Sequence, residues 1–230
     1  MEEELTLYSV KTFVHNGVTI ICDGWNRLFR IQEPVYQELC WEFFSTITFY
    51  GGNDYYNSGV IIFCLCGEYL RCSMVELGWR MRIYDQSVVM SEAFGAFIEE
   101  HCHKDFPEGT MGLGWWNTIA NEVYISSPAQ KGSIRSPIHR LIHRLISSTI
   151  NMRKDDDKVP NLDVFYLWSI IMPNTFCNIP YCLARYLGDG AVKERKTSKI
   201  NGGIFVTRLA RSYGVMGRGL GNTLTMIPTP

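Results

Sequence analysis

VIIFCLCGEYLRCSMVELGWRMRIY, residues 60–84, changes periodicity part-way, and that change decides how the chain is read. Its first half is two short runs rich in β-branched and aromatic residues, broken at Gly67-Glu68, which predicts a β-hairpin over about 60–74. Ser73 then stands three residues before Glu76, the spacing of a capping box, and a helix follows through VELGWRMRIY. Alternation puts Cys64 and Cys66 on one strand face. With Cys72 they lack the paired C-x-x-C spacing of zinc ribbons, so they read as small buried hydrophobes.

Outward from this stretch the pattern is helical. Upstream, Pro34 suits a first helical turn, and Val35, Leu39, Phe43 and Ile47 recur at helical spacing, with Trp41 and Phe44 widening the stripe. Downstream, Ser91 precedes Phe94, Phe97, Ile98 and Cys102 on one helical face, and residues 113–124 form a weaker helical pattern. Ser136-Pro137 opens the helix IHRLIHRLISSTI, to about residue 150. Its inner stripe is read as Ile138, Leu141, Ile142 and Leu145, with His139, Arg140, His143 and Arg144 opposite. Asp163 opens VFYLWSIIM, too apolar all round for a surface helix and the expected centre of the core. A helix over 178–187 stopped by Gly188, a basic connector, and a segment over 204–213 stopped by Gly214 complete the pattern. These elements predict a mainly α fold with one or two small antiparallel β-hairpins, an α+β, helix-dominated arrangement. The expected divisions are an acidic N-terminal segment over 1–32, a single helical domain over 33–215 and a loosely ordered tail over 216–230.

Composition supports a folded protein: 46% of the 230 residues are hydrophobic and 20% charged, far from the range of disordered chains. The longest apolar runs fall short of the ~20 residues that cross a bilayer. The acidic start MEEELTLYSV is unlike a secretory signal, so no membrane partner and an intracellular location are expected, and with it eight reduced, mostly buried cysteines. The net charge of -1 hides a gradient: residues 1–110 hold 7 Lys+Arg against 16 Asp+Glu, and residues 111–230 hold 15 against 7. A basic half attracts nucleic acid or an acidic partner; the two halves can equally complement each other.

The candidate sites divide into weak and stronger ones. His139 and His143 have the four-residue spacing of zinc-binding helices but lack the intervening general-base Glu, and a solvated polar face explains them more simply. Asp155, Asp156 and Asp157 are flanked by Arg153, Lys154 and Lys158 and read as a solvated loop. The glycines of 217–221 lack the strand and the Lys-Ser/Thr of a phosphate loop. No cofactor is expected. What remains is phosphate contact through Arg135, Arg140 and Arg144 by the helix at 137–150 and Lys193, Arg195, Lys196 and Lys199 in the connector, with RNA or single-stranded DNA as the partner.

The order of WEFFSTITFY, VIIFCLCGEYLRCSMVELGWRMRIYD, GSIRSPIHRLIHRLISSTINMRK, LDVFYLWSII and INGGIFVTRLARSYGV resembles the first-open-reading-frame protein of plant Athila-type retrotransposons of the gypsy class, over about residues 36–215. GEYLRCSMVELG and SPIHRLIHR are its most specific segments, and the hairpin-helix part is similar to plant mobile domains of transposon-derived genes. The resemblance implies a Gag-like, non-enzymatic role: self-association and handling of element RNA. The chain departs from a complete Gag protein in having no zinc-knuckle pattern. The competing expectations are a co-opted protein-interaction module using the charge gradient, and a metal-dependent enzyme using His139 and His143.

Overall fold

The computed structural model describes the chain apart from residues 1–7, 52–58, 107–111, 124–128, 152, 154–155, 195–201, 217–223 and 228–230. In chain order the elements are β1 (Lys11–His15), β2 (Val18–Cys22), α1 (Gly24–Phe29), β3 (Val35–Tyr36), α2 (Gln37–Thr46), β4 (Thr48–Gly51), β5 (Gly59–Leu65), β6 (Glu68–Ser73), α3 (Met74–Arg80), α4 (Gln86–Val89) and α5 (Glu92–His101). There follow β7 (Cys102–His103), α6 (Gly112–Ile119), β8 (Ala129–Gln130), α7 (Pro137–Thr149), β9 (Lys158–Val159), α8 (Asn161–Ile171), β10 (Phe176–Cys177), α9 (Ile179–Glu194), α10 (Gly203–Tyr213) and β11 (Met226–Ile227).

Eleven strands in five sheets among the described residues make this a mixed α/β fold, which overturns the expectation of a mainly α fold with one or two hairpins. The reason is the length of the missed strands. β3, β7, β8, β9, β10 and β11 have two residues each, too few to show a period-2 pattern, and they pair with distant segments: Val35–Tyr36 with Met226–Ile227, Cys102–His103 with Phe176–Cys177. β3 also displaces the expected start of the helix at Pro34 to Gln37, and β11 pairs a segment expected to be loosely ordered. The β1–β2 hairpin lies in the stretch expected only to be acidic.

The chain forms two compact units, each built from two separate stretches: Met1–Phe29 with Glu92–Asn178, and Arg30–Ser91 with Ile179–Pro230. This division redistributes the charge gradient. The first unit holds 10 Lys+Arg against 14 Asp+Glu and the second 12 against 9, so net charges of -4 and +3 replace the steeper gradient along the sequence.

In the first unit, Phe13 of β1 packs on Phe97 of α5 at 5.2 Å between ring centroids, and Trp25 of α1 meets Tyr166 of α8 edge-on at 5.3 Å. α8 is apolar nearly all round, and Val164, Phe165, Tyr166, Leu167 and Ile170 are all buried, as its composition predicts. Lys11 reaches from β1 to the end of α8, where its ammonium donates to the carbonyls of Ser169, Met172 and Thr175 at 2.5, 2.7 and 2.7 Å. Carbonyls at a helix C-terminus have no intrahelical donor, so this lysine caps the helix from another element.

In the second unit, β4, β5 and β6 form one antiparallel sheet. Directly opposed residues share a face, so Phe49, Ile61, Phe63, Leu65 and Cys72 point one way and Thr48, Tyr50, Val60, Ile62, Tyr69 and Arg71 the other. Among the described residues helices pack on the first face: Phe43 of α2 lies 5.0 Å from Phe63, Tyr181 of α9 lies 5.5 Å from Phe49, and Tyr213 of α10 lies 6.1 Å from Phe63. α9 runs on through Gly188, expected to stop it, because that glycine passes against Phe49: a Cβ there would sit 2.9 Å from the phenylalanine's own Cβ.

The hairpin turns at Cys66-Gly67, one residue earlier than the expected Gly67-Glu68 break. Both residues have positive φ, 54° and 78°, as a two-residue hairpin loop of primed type requires. A cysteine in the left-handed region costs about 1–2 kcal/mol. Glu42 of α2 offsets it by accepting from the N–H groups of Cys66 and Gly67 at 2.5 and 2.7 Å, while Thr46 Oγ1 accepts from Cys64 N at 2.8 Å. The polar side of α2 thus continues the hydrogen bonding of β5 beyond the end of β4. Ser73 caps α3 as expected, accepting from Glu76 N at 3.1 Å. Gly214, at φ 69°, closes α10.

Candidate functional site

The densest polar arrangement in the first unit lies between α7 and α8. α7 has Ile142, His143, Ile146 and Ser147 on its buried side, whereas Ile138, Leu141 and Leu145 are half-exposed. The inner stripe is therefore rotated from the one expected, and the expectation that His143 lies on a solvated face is corrected: its side chain is 0% exposed. A histidine can take that place because it has a partner. Asp163 Oδ2 accepts from His143 Nε2 at 2.8 Å, Asp163 Oδ1 accepts from Asn151 Nδ2 at 2.7 Å, and an Arg153 amino group also donates to Oδ2. Ser147 Oγ donates to the His143 carbonyl at 2.6 Å.

Asp163 therefore does more than open a helix. A buried carboxylate is tolerated when donors surround it, and this one has three. Chemically the cluster resembles the imidazole-carboxylate half of a catalytic triad, but geometry gives it a structural task. The ring is closed to solvent, Ser147 turns its hydroxyl to a backbone carbonyl, and the bonds tie the end of α7, the following loop and the first turn of α8 together. The sequence held one signal of it: an aspartate near the start of a helix that is otherwise apolar all round, a rare place for a charge with no partner.

His139, one turn earlier, is half-buried, and burial holds its imidazole below the usual histidine range. The structure commits His143 Nε2 to Asp163, and no group of three potential metal ligands occurs among the described residues. Asp156 pairs with Lys131 at 2.8 Å, which, with its hydrogen bond, holds the carboxyl below the usual range, and Asp157 lies 3.6 Å from the same ammonium. Asp155 and the glycines of 217–221 lie outside the described residues.

Of the basic residues expected to meet nucleic acid, Arg135 is exposed and donates to the Asn117 carbonyl at 2.7 Å, Arg140 is half-buried and donates to the Ile134 carbonyl at 3.1 Å, and Arg144 is exposed. All three belong to the first unit, around the N-terminal part of α7. Lys193 lies in α9, and Arg195, Lys196 and Lys199 lie outside the described residues. In the second unit, two arginines of the basic half are engaged by an acid: Arg208 and the exposed Arg211 bracket the Glu33 carboxylate, whose side chain is 6% exposed, at 2.7 and 2.8 Å. A third arginine, Arg80, stacks 3.5 Å over the Tyr213 ring, holds Glu76 at 2.6 Å and donates to the Ser212 carbonyl at 3.0 Å.

All eight cysteines are unbridged, and six are buried. Burial pushes the thiols of Cys22 and Cys72 up to about 12 and that of Cys64 up to about 11, so these sulfurs are held as thiols rather than nucleophilic thiolates. No helix among the described residues is long and apolar enough to cross a membrane. Comparison with protein-family models, with curated proteins and with solved structures gives no match to the chain.

Proposed function

We propose that the chain is a Gag-like, non-enzymatic protein of an Athila-type retrotransposon that binds single-stranded nucleic acid through phosphate contacts and associates with itself. The observation that carries this reading is how differently the polar groups are placed. The imidazole and carboxylate most suited to acid-base chemistry are shut inside the first unit, while Arg135 and Arg144 stand in solvent on the same unit. Exposed guanidinium groups are suited to phosphate, as planar donors that stay charged at any physiological pH. The sequence resemblance over about residues 36–215 supports the same role. Self-association draws support from β1 and β2, which turn Val14 and Ile21 outward, each 63% exposed.

Charge reversal tests the arginine contribution. In Arg135→Glu combined with Arg144→Glu, affinity for a fluorescein-labelled oligouridylate is expected to fall about tenfold or more at low salt, with a shallower salt dependence. Unchanged affinity in a folded double variant excludes this face as the contact.

A further inference from the structure

Among the described residues no helix packs on the second face of this sheet except at Cys64, which meets Glu42 of α2, and we infer that this face is a stacking platform for single-stranded RNA. The inference rests on the nucleic-acid reading above and deepens it by naming a surface that the charge pattern alone did not show. Register puts Thr48 and Tyr50 of β4, Val60 and Ile62 of β5, and Tyr69 and Arg71 of β6 on the face opposite the helices. Tyr69 is 81% and Tyr50 55% exposed, and Arg71 is exposed between them. Tyrosines in a half-covered sheet normally turn a ring inward or against a helix; these two present theirs to water.

The arrangement of the three has a direction. Tyr69 pairs with Cys64, Arg71 with Ile62, and Ile62 in turn with Thr48, two residues before Tyr50, so Tyr69 and Arg71 follow one another along β6 and Tyr50 lies diagonally beyond them on β4. With strands about 4.8 Å apart and a rise of about 3.4 Å per residue, the tyrosine Cα atoms lie roughly 16 Å apart, a span of a few nucleotides. Aromatic rings stack on any base, and a guanidinium between them meets the phosphate that links those bases.

Charge selects this occupant over a basic peptide, and the two exposed rings favour bases over an acidic peptide. Among the residues that the register puts on this face the single charge is the positive one of Arg71, and the unit as a whole carries +3. At the hairpin end the carboxylate of Glu42 is taken up by the N–H groups of Cys66 and Gly67 and by the Cys64 thiol at 3.2 Å, and Glu68, next to Tyr69 in the chain, stands opposite Leu65 on the other face. Val60 and Ile62, half-exposed, give the floor an apolar character that bases cover better than water does. The Cys64 thiol faces the same side as Tyr69 but is buried and occupied with Glu42, so it offers no competing chemistry.

The test uses the full chain and a fluorescein-labelled oligouridylate, read by anisotropy. Tyr50→Ala and Tyr69→Ala are each expected to lower affinity about tenfold and their Phe counterparts to keep it, since stacking needs the ring and not the hydroxyl. Arg71→Gln is expected to reduce the salt slope by about one phosphate contact. Ultraviolet cross-linking of the unmodified chain should map to the peptide containing Tyr69, which keeps the proposal testable if a variant misfolds. If the unmodified chain binds RNA and the tyrosine variants bind it equally well, the platform is wrong while the nucleic-acid reading stands. No binding by the unmodified chain overturns both. Loss of a concentration-dependent dimer in the tyrosine variants with RNA affinity intact assigns the face to a second copy of the chain and overturns the proposal.

Discussion

The interior of the first unit and the sheet of the second handle polar groups in opposite ways. The first takes them inside: His143, Asp163 and the ammonium of Lys11 all lie among apolar side chains, each matched to partners at hydrogen-bond distance. The second keeps its sheet core apolar, with Ile61, Phe63, Leu65 and Cys72 each 0% exposed, and holds its polar contacts outside the sheet, at the hairpin turn and around Glu33 beside α10. A buried network is exacting because removing one member strands the others, whereas an apolar core is limited by space. The units should therefore fail for different reasons.

The largest expected effect is at Asp163. Asp163→Ala leaves the imidazole of His143, the amide of Asn151 and the guanidinium of Arg153 without their shared acceptor, and removal of one member of a buried charged cluster costs about 3–5 kcal/mol. Urea unfolding gives the size. Hydrogen exchange gives the place: amides of α7 and α8 should lose protection while those of β5 and β6 keep it. Equal loss in both would mean that the units unfold as one and would break the contrast.

Gly203→Ala is the counterpart in the second unit. Its added Cβ would meet the Val35 side chain and come within 2.9 Å of the Sγ of the fully buried Cys40, so a loss of about 1–3 kcal/mol is expected from overpacking. The same exchange experiment should now show α2 and α10 affected and α7 spared. Stability unchanged by the substitution would show that the second unit's core is looser than its packing indicates.

These two sites differ sharply in how visible they are in the sequence. The hairpin over 60–74, the Ser73 cap, the α7 helix and the Gly214 stop were all legible, because each rests on residues close together in the chain. The buried cluster was not, because the four-residue spacing of His139, Arg140, His143 and Arg144 suggests one polar face, and only a partner on the next helix tells which histidine turns inward. Two-residue strands such as Val35–Tyr36 leave no pattern at all; their pairing with Met226–Ile227 is a property of the folded chain. The open sheet face was half legible, since alternation in YLRCS already places Tyr69 and Arg71 together, but that no helix among the described residues covers them is tertiary information.

The smallest expected effect is the titration of Lys11. Burial pulls its ammonium from 10.5 down to about 8, working against the three carbonyls that hold the charged form. Between pH 8 and 10.5 the unfolded chain then binds a proton that the folded chain has released, so folding stability attributable to this group rises with pH across that window. Following the Lys11 side-chain resonances by NMR checks the midpoint. A midpoint near 10.5 would show that the carbonyl cage outweighs burial, and the pH-dependent contribution would vanish.

The central claim is that phosphate contacts and exposed rings bind single strands with little regard to sequence. It is tested most directly by the affinity of the unmodified chain for a labelled oligouridylate across a salt series. The account predicts binding at low salt, with the logarithm of affinity falling linearly with the logarithm of salt concentration at about 0.7 per phosphate neutralised. An absence of binding at low salt, or an affinity indifferent to salt, contradicts it.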